Sequence, residues 1–181
     1  MADSANVVQI GLDISSSVIG IAIKDENGIT LNHINLKKFP DLFEKAKHIE
    51  ENFYSYFPSE CDEIYVEDYA KKFTAGMSSA STITVLSSIN FLMCYLLYRN
   101  YESKPKYINV STARKMLAIK TASKGATPSE KKRFIFNQMK DRHKDVNWLI
   151  KTNGDYHSVN YDMADALIIL ESQALGRTNK S

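Results

Sequence analysis

Residues 7–24 read VVQIGLDISSSVIGIAIK, and this stretch decides the fold. Two apolar runs rich in β-branched residues, 7–14 and 20–24, are joined by the short segment SSSVI, and this pattern predicts a β-hairpin. Asp13 closes the first run, where a buried carboxylate costs desolvation energy unless it has a partner. We therefore expect the first strand to end in an acid that meets other polar groups.

The rest of the chain alternates helical and strand patterns, which predicts an α/β protein with a five-stranded mixed sheet and helices on both faces. We expect one domain over 1–176 and a loose C-terminal tail at 177–181. After the hairpin, the Glu26-Asn27-Gly28 turn precedes a predicted strand at 29–36. The later predicted strands are at 63–68 and 106–110. The predicted helices are at 41–56, to about 99, at 111–119 with Ser111 or Thr112 as its cap, from about 129, and at 161–175.

Composition places the chain among soluble intracellular proteins. It has 181 residues with a net charge of +2, and no basic leader precedes the first strand, so we expect a cytoplasmic protein of bacterial or viral origin. Cys61 and Cys94 lack metal-ligand spacing and are expected to be reduced. The apolar run at 83–98 carries three polar residues and has only sixteen positions, which favours a buried helix over a membrane span.

Four carboxylates lie within or at the end of apolar runs. Asp13 closes VVQIGLD, Glu67 closes EIYVE, and Asp162 and Asp165 lie in YDMADALIIL. Each alone could be a helix cap or half of a salt bridge. Together they form a set of oxygen ligands suited to two Mg²⁺ ions, for which Mn²⁺ commonly substitutes. Two such ions, about 4 Å apart, can activate water and stabilise the leaving oxygen of a phosphodiester.

Positive charge is concentrated between residues 104 and 144, which hold twelve Lys or Arg and only two acids. Such asymmetry favours a surface that faces a polyanion, although a solvated helix face is the simpler alternative. Lys120 and Lys124, in the loop KTASKGATPSE, are candidate phosphate contacts.

The three acidic segments IGLDISSSVIGIAI, IYVEDY and YDMADALIIL resemble, in order, the motifs of the RuvC family of Holliday-junction resolvases, which belongs to the RNase H-like superfamily. The resemblance covers most of the chain. It implies an RNase H-like fold and a homodimer that nicks two strands of a four-way DNA junction symmetrically with Mg²⁺. It also implies that Asp13, Glu67, Asp162 and Asp165 are the metal ligands, and that helix 83–98 packs against its counterpart in a second subunit.

The resemblance further implies basic catalytic helpers before the last motif. Lys115, with Arg114 beside it, and Lys131 are the positions that match best, and ordinary backbone contacts are the alternative for each. The family also carries an aromatic residue after the strand-end Glu that stacks on junction bases. Candidates for this DNA-binding role are Tyr69 and Phe73, with Lys71 and Lys72 beside them, although Phe73 could equally be a core residue.

Other functions fit the same motifs less well. An actin-like kinase needs a second lobe, which 181 residues with seven glycines do not provide. A less selective RNase H-like nuclease that cuts flaps, forks or RNA–DNA hybrids remains open, because fold does not determine substrate. A non-catalytic relative that only binds branched DNA is the third alternative, and retention of all four acids speaks against it.

Overall fold

A computed structural model describes residues 7–68 and 80–178 of the chain. These residues form a sheet of five strands, in the order β3-β2-β1-β4-β5, and helices on both of its faces. The strands are β1 (Gln9–Ile14), β2 (Val18–Asp25), β3 (Gly28–Asn35), β4 (Glu63–Glu67) and β5 (Lys106–Ile108), and the helices are α1 (Leu42–Glu51), α2 (Phe53–Tyr56), α3 (Ala80–Tyr101), α4 (Val110–Met116), α5 (Pro128–Arg142) and α6 (Val159–Thr178).

The sheet is mixed, as the sequence predicts. β1, β2 and β3 are successive antiparallel strands, whereas β4 lies parallel to β1 and β5 parallel to β4. The parallel strands β1, β4 and β5 therefore end at the same edge of the sheet. In such sheets, binding chemistry concentrates at the carboxyl ends of the strands.

The hairpin between β1 and β2 has a tighter connection than predicted. The Ser15 hydroxyl donates to the Val18 carbonyl at 2.7 Å and accepts from the Val18 amide at 3.0 Å. These bonds hold the turn closed, so β2 begins at Val18 rather than at residue 20. β1 starts at Gln9, two residues later than predicted.

Helix boundaries differ from the predictions where side chains compete for backbone groups. The predicted helix start at residue 41 is confirmed, because Asp41 caps α1 by accepting from the Phe43 and Glu44 amides. The predicted helix 41–56 is broken at Asn52, whose side-chain amide donates to the His48 carbonyl at 2.9 Å. The predicted caps of α4 are wrong because the N-cap is Asn109, whose side chain accepts from the Thr112 amide at 3.0 Å.

Two apolar layers sandwich the sheet, and alternate residues of each strand belong to different layers. Ile10, Leu12 and Ile14 of β1 are buried in the layer beneath α1, α2 and α3. Residues between them, including Asp13, therefore face the opposite layer, which α4, α5 and α6 cover. Cys61 and Cys94 are free thiols, as the sequence predicts.

Helix α3 is buried along one side and exposed along the other. It buries a stripe that includes Ile89, Met93 and Leu97, but Phe91 is 73% exposed and Tyr95 is 50% exposed. The buried side agrees with the predicted packing against the sheet, and the exposed side is the one that the predicted contact with a second subunit would cover. At 22 residues, with a mean hydropathy of 1.6 over its most apolar window, α3 has the length and composition to cross a bilayer, a criterion that core helices of soluble proteins also meet.

Two glycines let α6 lie directly on the hairpin. Gly11 of β1 is so close to α6 that a Cβ there would come 2.5 Å from the Ala166 carbonyl oxygen. Gly20 of β2 touches the backbone of Asp162, and any Cβ would overlap its carbonyl group. A side chain at either position would force the helix away from the sheet. Since Gly20 pairs with Asp13 across the hairpin, this packing brings the start of α6 next to Asp13.

Substitution of Gly20 by alanine is expected to destabilise the fold because the new methyl group meets backbone atoms, which cannot move aside as a flexible side chain could. We expect the free energy of unfolding to fall by about 3 kcal/mol. Urea unfolding followed by circular dichroism measures the change. Gly125→Ala is the matched control, since a Cβ at Gly125 meets no atom within 4 Å, and it should change stability by less than about 1 kcal/mol. Equal stability of the two variants would contradict the packing described here.

Candidate active site

Two strand-end carboxylates lie side by side at the carboxyl edge of the sheet. Leu12 of β1 pairs in parallel register with Val66 of β4, so the next residues, Asp13 and Glu67, are neighbours on adjacent strands. Both face the α6 layer because both alternate with residues of the opposite layer. Asp13 is only 5% exposed and Glu67 only 4% exposed. The sheet therefore buries two negative groups together.

Helix α6 brings the second pair of acids to the same place. Asp162 and Asp165 lie three residues apart, hence on one side of the first turns of the helix. Their side chains are 16% and 13% exposed. The negative charge of Asp13 raises the pKa values of both, which requires the three carboxylates to be close. The four acids predicted from the sequence thus gather at one end of the sheet.

This crowding makes ionisation unfavourable. Burial, followed by the charge of Asp13, raises the pKa of Asp162 to about 6 from the ordinary value of 3.8. Burial also raises the pKa of Asp165, while Arg114 acts in the opposite direction. The pKa of Asp162 is higher in the folded state than in the unfolded state. Protonation of Asp162 therefore adds its full contribution to the free energy of unfolding below about pH 4, and this contribution is lost as the pH rises through 6. At neutral pH the cluster needs compensating positive charge.

Two basic side chains supply part of that charge. A terminal nitrogen of Arg114 lies 2.6 Å from Oδ1 of Asp165, and both side chains are largely buried. Nζ of Lys132 lies 3.4 Å from Oδ1 of Asp162, and this lysine is 55% exposed. The Arg114 pair is the stronger of the two, because it is shorter and less accessible to water.

The structure does not bring the two predicted catalytic lysines to the acids. Lys115 and Lys131 are exposed, and neither side chain forms an ion pair with an acid in the part of the chain that the structure describes. Arg114, predicted as a DNA contact, and Lys132, which sequence reasoning missed, take these positions instead. Each is the immediate neighbour of a predicted residue.

Helical periodicity is the signal that distinguishes the neighbours. On α5 the buried residues are Ile135, Phe136 and Met139, and Lys132 lies three, four and seven positions before them. Lys132 is therefore on the stripe that faces α6, whereas Lys131 lies to one side of it. On α4 the same reasoning places Arg114 next to buried Ala113 and leaves Lys115 toward solvent.

The other predicted DNA-binding residues lie away from the acids or outside the described ranges. Lys120 is exposed, and its backbone amide and carbonyl bond to the Gln138 side chain, which fixes the end of the loop against α5. Lys124 is exposed in the same loop. Tyr69, Lys71, Lys72 and Phe73 lie outside the residues that the structure describes.

The donor chemistry of the cluster fits a hard divalent cation. All four groups are carboxylates, the ligand type that Mg²⁺ and Mn²⁺ prefer, and no soft sulfur or imidazole ligand lies among them. Over residues 7–68 and 80–178, however, no three His, Cys, Asp or Glu side chains are already arranged as a coordination shell. The two acids of α6 are instead paired with basic side chains, Asp165 with Arg114 and Asp162 with Lys132.

Comparison with known proteins gives a structural likeness without a sequence match. No family model matches the chain, and no curated protein matches it. The structure of Thermus thermophilus RuvC superposes with a TM-score of 0.57 at 12% sequence identity, covering 96% of this chain and 97% of that one. T. thermophilus RuvC in complex with Holliday junction substrate matches with a TM-score of 0.57 at 11% identity, covering 96% of each chain. The chain has a RuvC-like fold.

We expect removal of the Lys132 ammonium to raise the pKa of Asp162 above its present value of about 6, because Lys132 stabilises the ionised carboxylate. The measurement is a carboxyl carbon NMR titration of the metal-free Lys132→Ala protein. Lys131→Ala is the matched control, since it removes a neighbouring exposed lysine that does not contact Asp162. A shift of the same size in both variants would mean that Lys132 acts only as part of the general positive field.

Proposed function

We propose that this protein is a structure-selective DNA endonuclease that resolves four-way junctions by paired, symmetric phosphodiester hydrolysis. The observation that carries the proposal is the convergence of four carboxylates, two buried and two partly buried, from three separate segments of the chain. A fold gathers like charges in this way at a cost, and the cost is offset when cations bind there. Phosphodiester hydrolysis is the chemistry that such a centre performs beside a basic surface.

Asp13, Glu67, Asp162 and Asp165 are the residues that would hold two Mg²⁺ ions. When bound, the ions would activate a water molecule and stabilise the leaving oxygen. The protein's own contribution is to orient these carboxylates: the sheet register fixes the strand pair, and the glycine contacts of α6 fix the helix pair. The burial that raises the pKa values of Asp162 and Asp165 also excludes bulk water from around them.

Arg114 and Lys132 are the basic groups best placed to meet a scissile phosphate. Both already lie within ion-pair distance of an acid of the cluster, so a phosphate bound at the acids would lie within their reach. An arginine fork and a lysine ammonium each stabilise the additional negative charge that develops on a phosphate during hydrolysis. In this role they replace the predicted Lys115 and Lys131.

Branched DNA is the proposed substrate. The neighbouring T. thermophilus RuvC structure is a complex with Holliday junction substrate, and its fold extends over 96% of this chain. The concentration of Lys and Arg in residues 104–144 supports the same proposal, because neutralised phosphates provide most of the affinity in DNA binding.

A homodimer is proposed because symmetric nicking requires two active sites, and α3 offers a surface for a second copy. Phe91, Tyr95 and Tyr98 are exposed along the side of α3 opposite its buried stripe, and the rings of Phe91 and Tyr95 stack with centroids 6.3 Å apart. Two such faces from identical chains form a self-complementary interface with two-fold symmetry. Burial of aromatic rings is the main source of energy in interfaces of this kind.

Asp13→Asn and Asp165→Asn are expected to abolish Mg²⁺-dependent cleavage of a four-way junction, by about a thousandfold or more, while junction binding remains. The substitutions keep the side-chain shape and remove the charge that a cation needs. Single-turnover cleavage and gel-shift binding measure the two properties on the same labelled junction.

Glu60→Gln provides the matched control, because Glu60 is an exposed acid before β4 and far along the sheet from Asp13. Normal cutting by the Asn variants would contradict the metal centre. Binding of junctions by a wild-type protein that cuts nothing would favour the non-catalytic relative, and preferred cleavage of flaps, forks or RNA–DNA hybrids would favour the less selective nuclease.

Phe91→Glu is expected to convert the proposed dimer to a monomer, since it places a charge in the centre of the apolar face. Sedimentation velocity with junction DNA present measures the assembly. Phe43→Glu on α1 is the control, because Phe43 is 86% exposed but lies outside the α3 face. A wild-type protein that sediments as a monomer on the junction would rule out symmetric nicking.

A further inference from the structure

A second basic site lies beside the acids, between α5 and the short hairpin that precedes α6. The hairpin is closed by a bridge between Ile150 and Tyr156, and its turn is held by a hydrogen bond of 2.7 Å from the Lys151 amide to the Asp155 carbonyl. Between this hairpin and α5 is an open groove of about 550 Å³. We refer to it as the α5–hairpin groove, and its principal lining residues are Arg133, Lys140, Lys151, Asp155, Tyr156 and Tyr161.

The groove carries net positive charge from two elements. Arg133 and Lys140 lie seven positions apart on α5, two turns along one side of the helix, and Lys151 faces them from the hairpin. The opposing charge is Asp155, whose carboxylate accepts from the side-chain amide of Asn153 at 2.9 Å. Lys140 also has Asp141 within 3.7 Å, but that acid lies outside the groove lining. Three cations against one lining carboxylate favour an anionic ligand.

Aromatic rings form the floor and part of the wall. The buried ring of Phe136 meets the edges of Tyr156 and Tyr161, with centroids 5.1 and 5.6 Å away. Tyr156 remains 37% exposed, and Nζ of Lys140 lies 5.2 Å from its ring centroid. These contacts hold the Tyr156 ring in place, with Lys140 over part of one face, and leave the rest of the ring open to solvent. A fixed, partly exposed ring between cations is the arrangement on which an unpaired base stacks while its phosphates are neutralised.

The groove continues from the acidic cluster along the chain. Arg133 directly follows Lys132, which contacts Asp162, and Tyr161 directly precedes Asp162. Successive residues of a helix point about 100° apart. Arg133 of α5 and Tyr161 of α6 are therefore turned about 100° away from the neighbouring residues that meet at the acidic cluster, and the groove begins beside that cluster. A strand bound at the acids would therefore meet the groove within a nucleotide or a few nucleotides.

We propose that the α5–hairpin groove binds the unpaired DNA strand that adjoins the cleaved phosphate. Arg133, Lys140 and Lys151 contact its backbone phosphates, and Tyr156 stacks on one of its bases. This inference rests on the proposed nuclease function and adds a substrate requirement to it: the branch point has to open on one side of the scissile bond. A duplex arm does not offer a free base face to Tyr156, so the groove selects single-stranded over paired DNA at this position.

The test measures binding of a fluorescein-labelled oligothymidine by anisotropy, in EDTA and over a range of salt concentrations, with a duplex of equal length as comparison. Arg133→Ala and Lys151→Ala should each weaken oligothymidine binding severalfold and reduce the slope of log affinity against log salt by about 0.7, as expected for one lost single-strand phosphate contact. Tyr156→Ala should weaken binding about tenfold and leave the slope unchanged, because stacking carries no charge.

Lys104→Ala is the charge-matched control, since Lys104 is exposed before β5, at the opposite edge of the sheet from the strand-end acids. Tyr156→Phe keeps the ring and should bind as the wild type does. Since Lys151 is exposed in the hairpin turn, Lys151→Ala tests the groove even if Tyr156→Ala does not fold.

Separate results identify which proposal fails. If wild-type protein cuts four-way junctions but the groove variants bind oligothymidine no worse than Lys104→Ala, the groove assignment alone is overturned. If the groove variants lose duplex binding instead, the preference for an unpaired strand is overturned. If wild-type protein leaves every branched DNA intact in Mg²⁺, the proposed nuclease function is overturned.

Discussion

Direct contact between α6 and the glycines of the first hairpin is the constraint on which the rest of the site depends. Gly11 and Gly20 leave no side chain between the helix and the sheet. The start of α6 therefore lies against Gly20 of β2, the residue that pairs with Asp13 of β1. The apolar residues of α6 between Met163 and Leu170 fill the layer that it shares with α4 and α5. Burial of that apolar surface provides the stabilising energy that presses the four acids together.

The concentrated negative charge explains the positions of the basic residues around it. A buried carboxylate pair that is not compensated lowers stability, and Arg114 and Lys132 reduce this cost from two different helices. The same charge balance links stability to function. In the proposed function, a cluster that protein cations satisfy only in part would bind divalent cations, and the displaced arginine and lysine would then be close to a substrate phosphate. The proposed chemistry uses the charges that the fold already has to accommodate.

Much of the fold followed from local patterns because its elements are locally encoded. The β1–β2 hairpin, the Glu26-Asn27 turn and the start of a helix at Asp41 depend on neighbouring residues, and each was predicted correctly. The errors came from competition between side chains and backbone: Asn52 breaks a helix, and Asn109 caps α4 in place of Ser111 or Thr112. Packing of α3 on the sheet was predicted, but a strongly apolar sequence does not show which side of its helix remains uncovered.

The sequence by itself determined which four acids the fold gathers at one end of the sheet. Strand-end acids and an Asp-x-x-Asp helix start are recognisable because each places a charge within or at the end of an apolar run. The desolvation cost of such a charge can be inferred from the neighbouring residues alone. Only the tertiary structure decided which basic residues meet them and which groove lies beside them. Lys131 and Lys132 differ by one position, yet a rotation of about 100° around α5 directs only Lys132 to Asp162. The α5–hairpin groove joins residues 133 to 161 through the packing of three aromatic rings, and no local pattern encodes that packing.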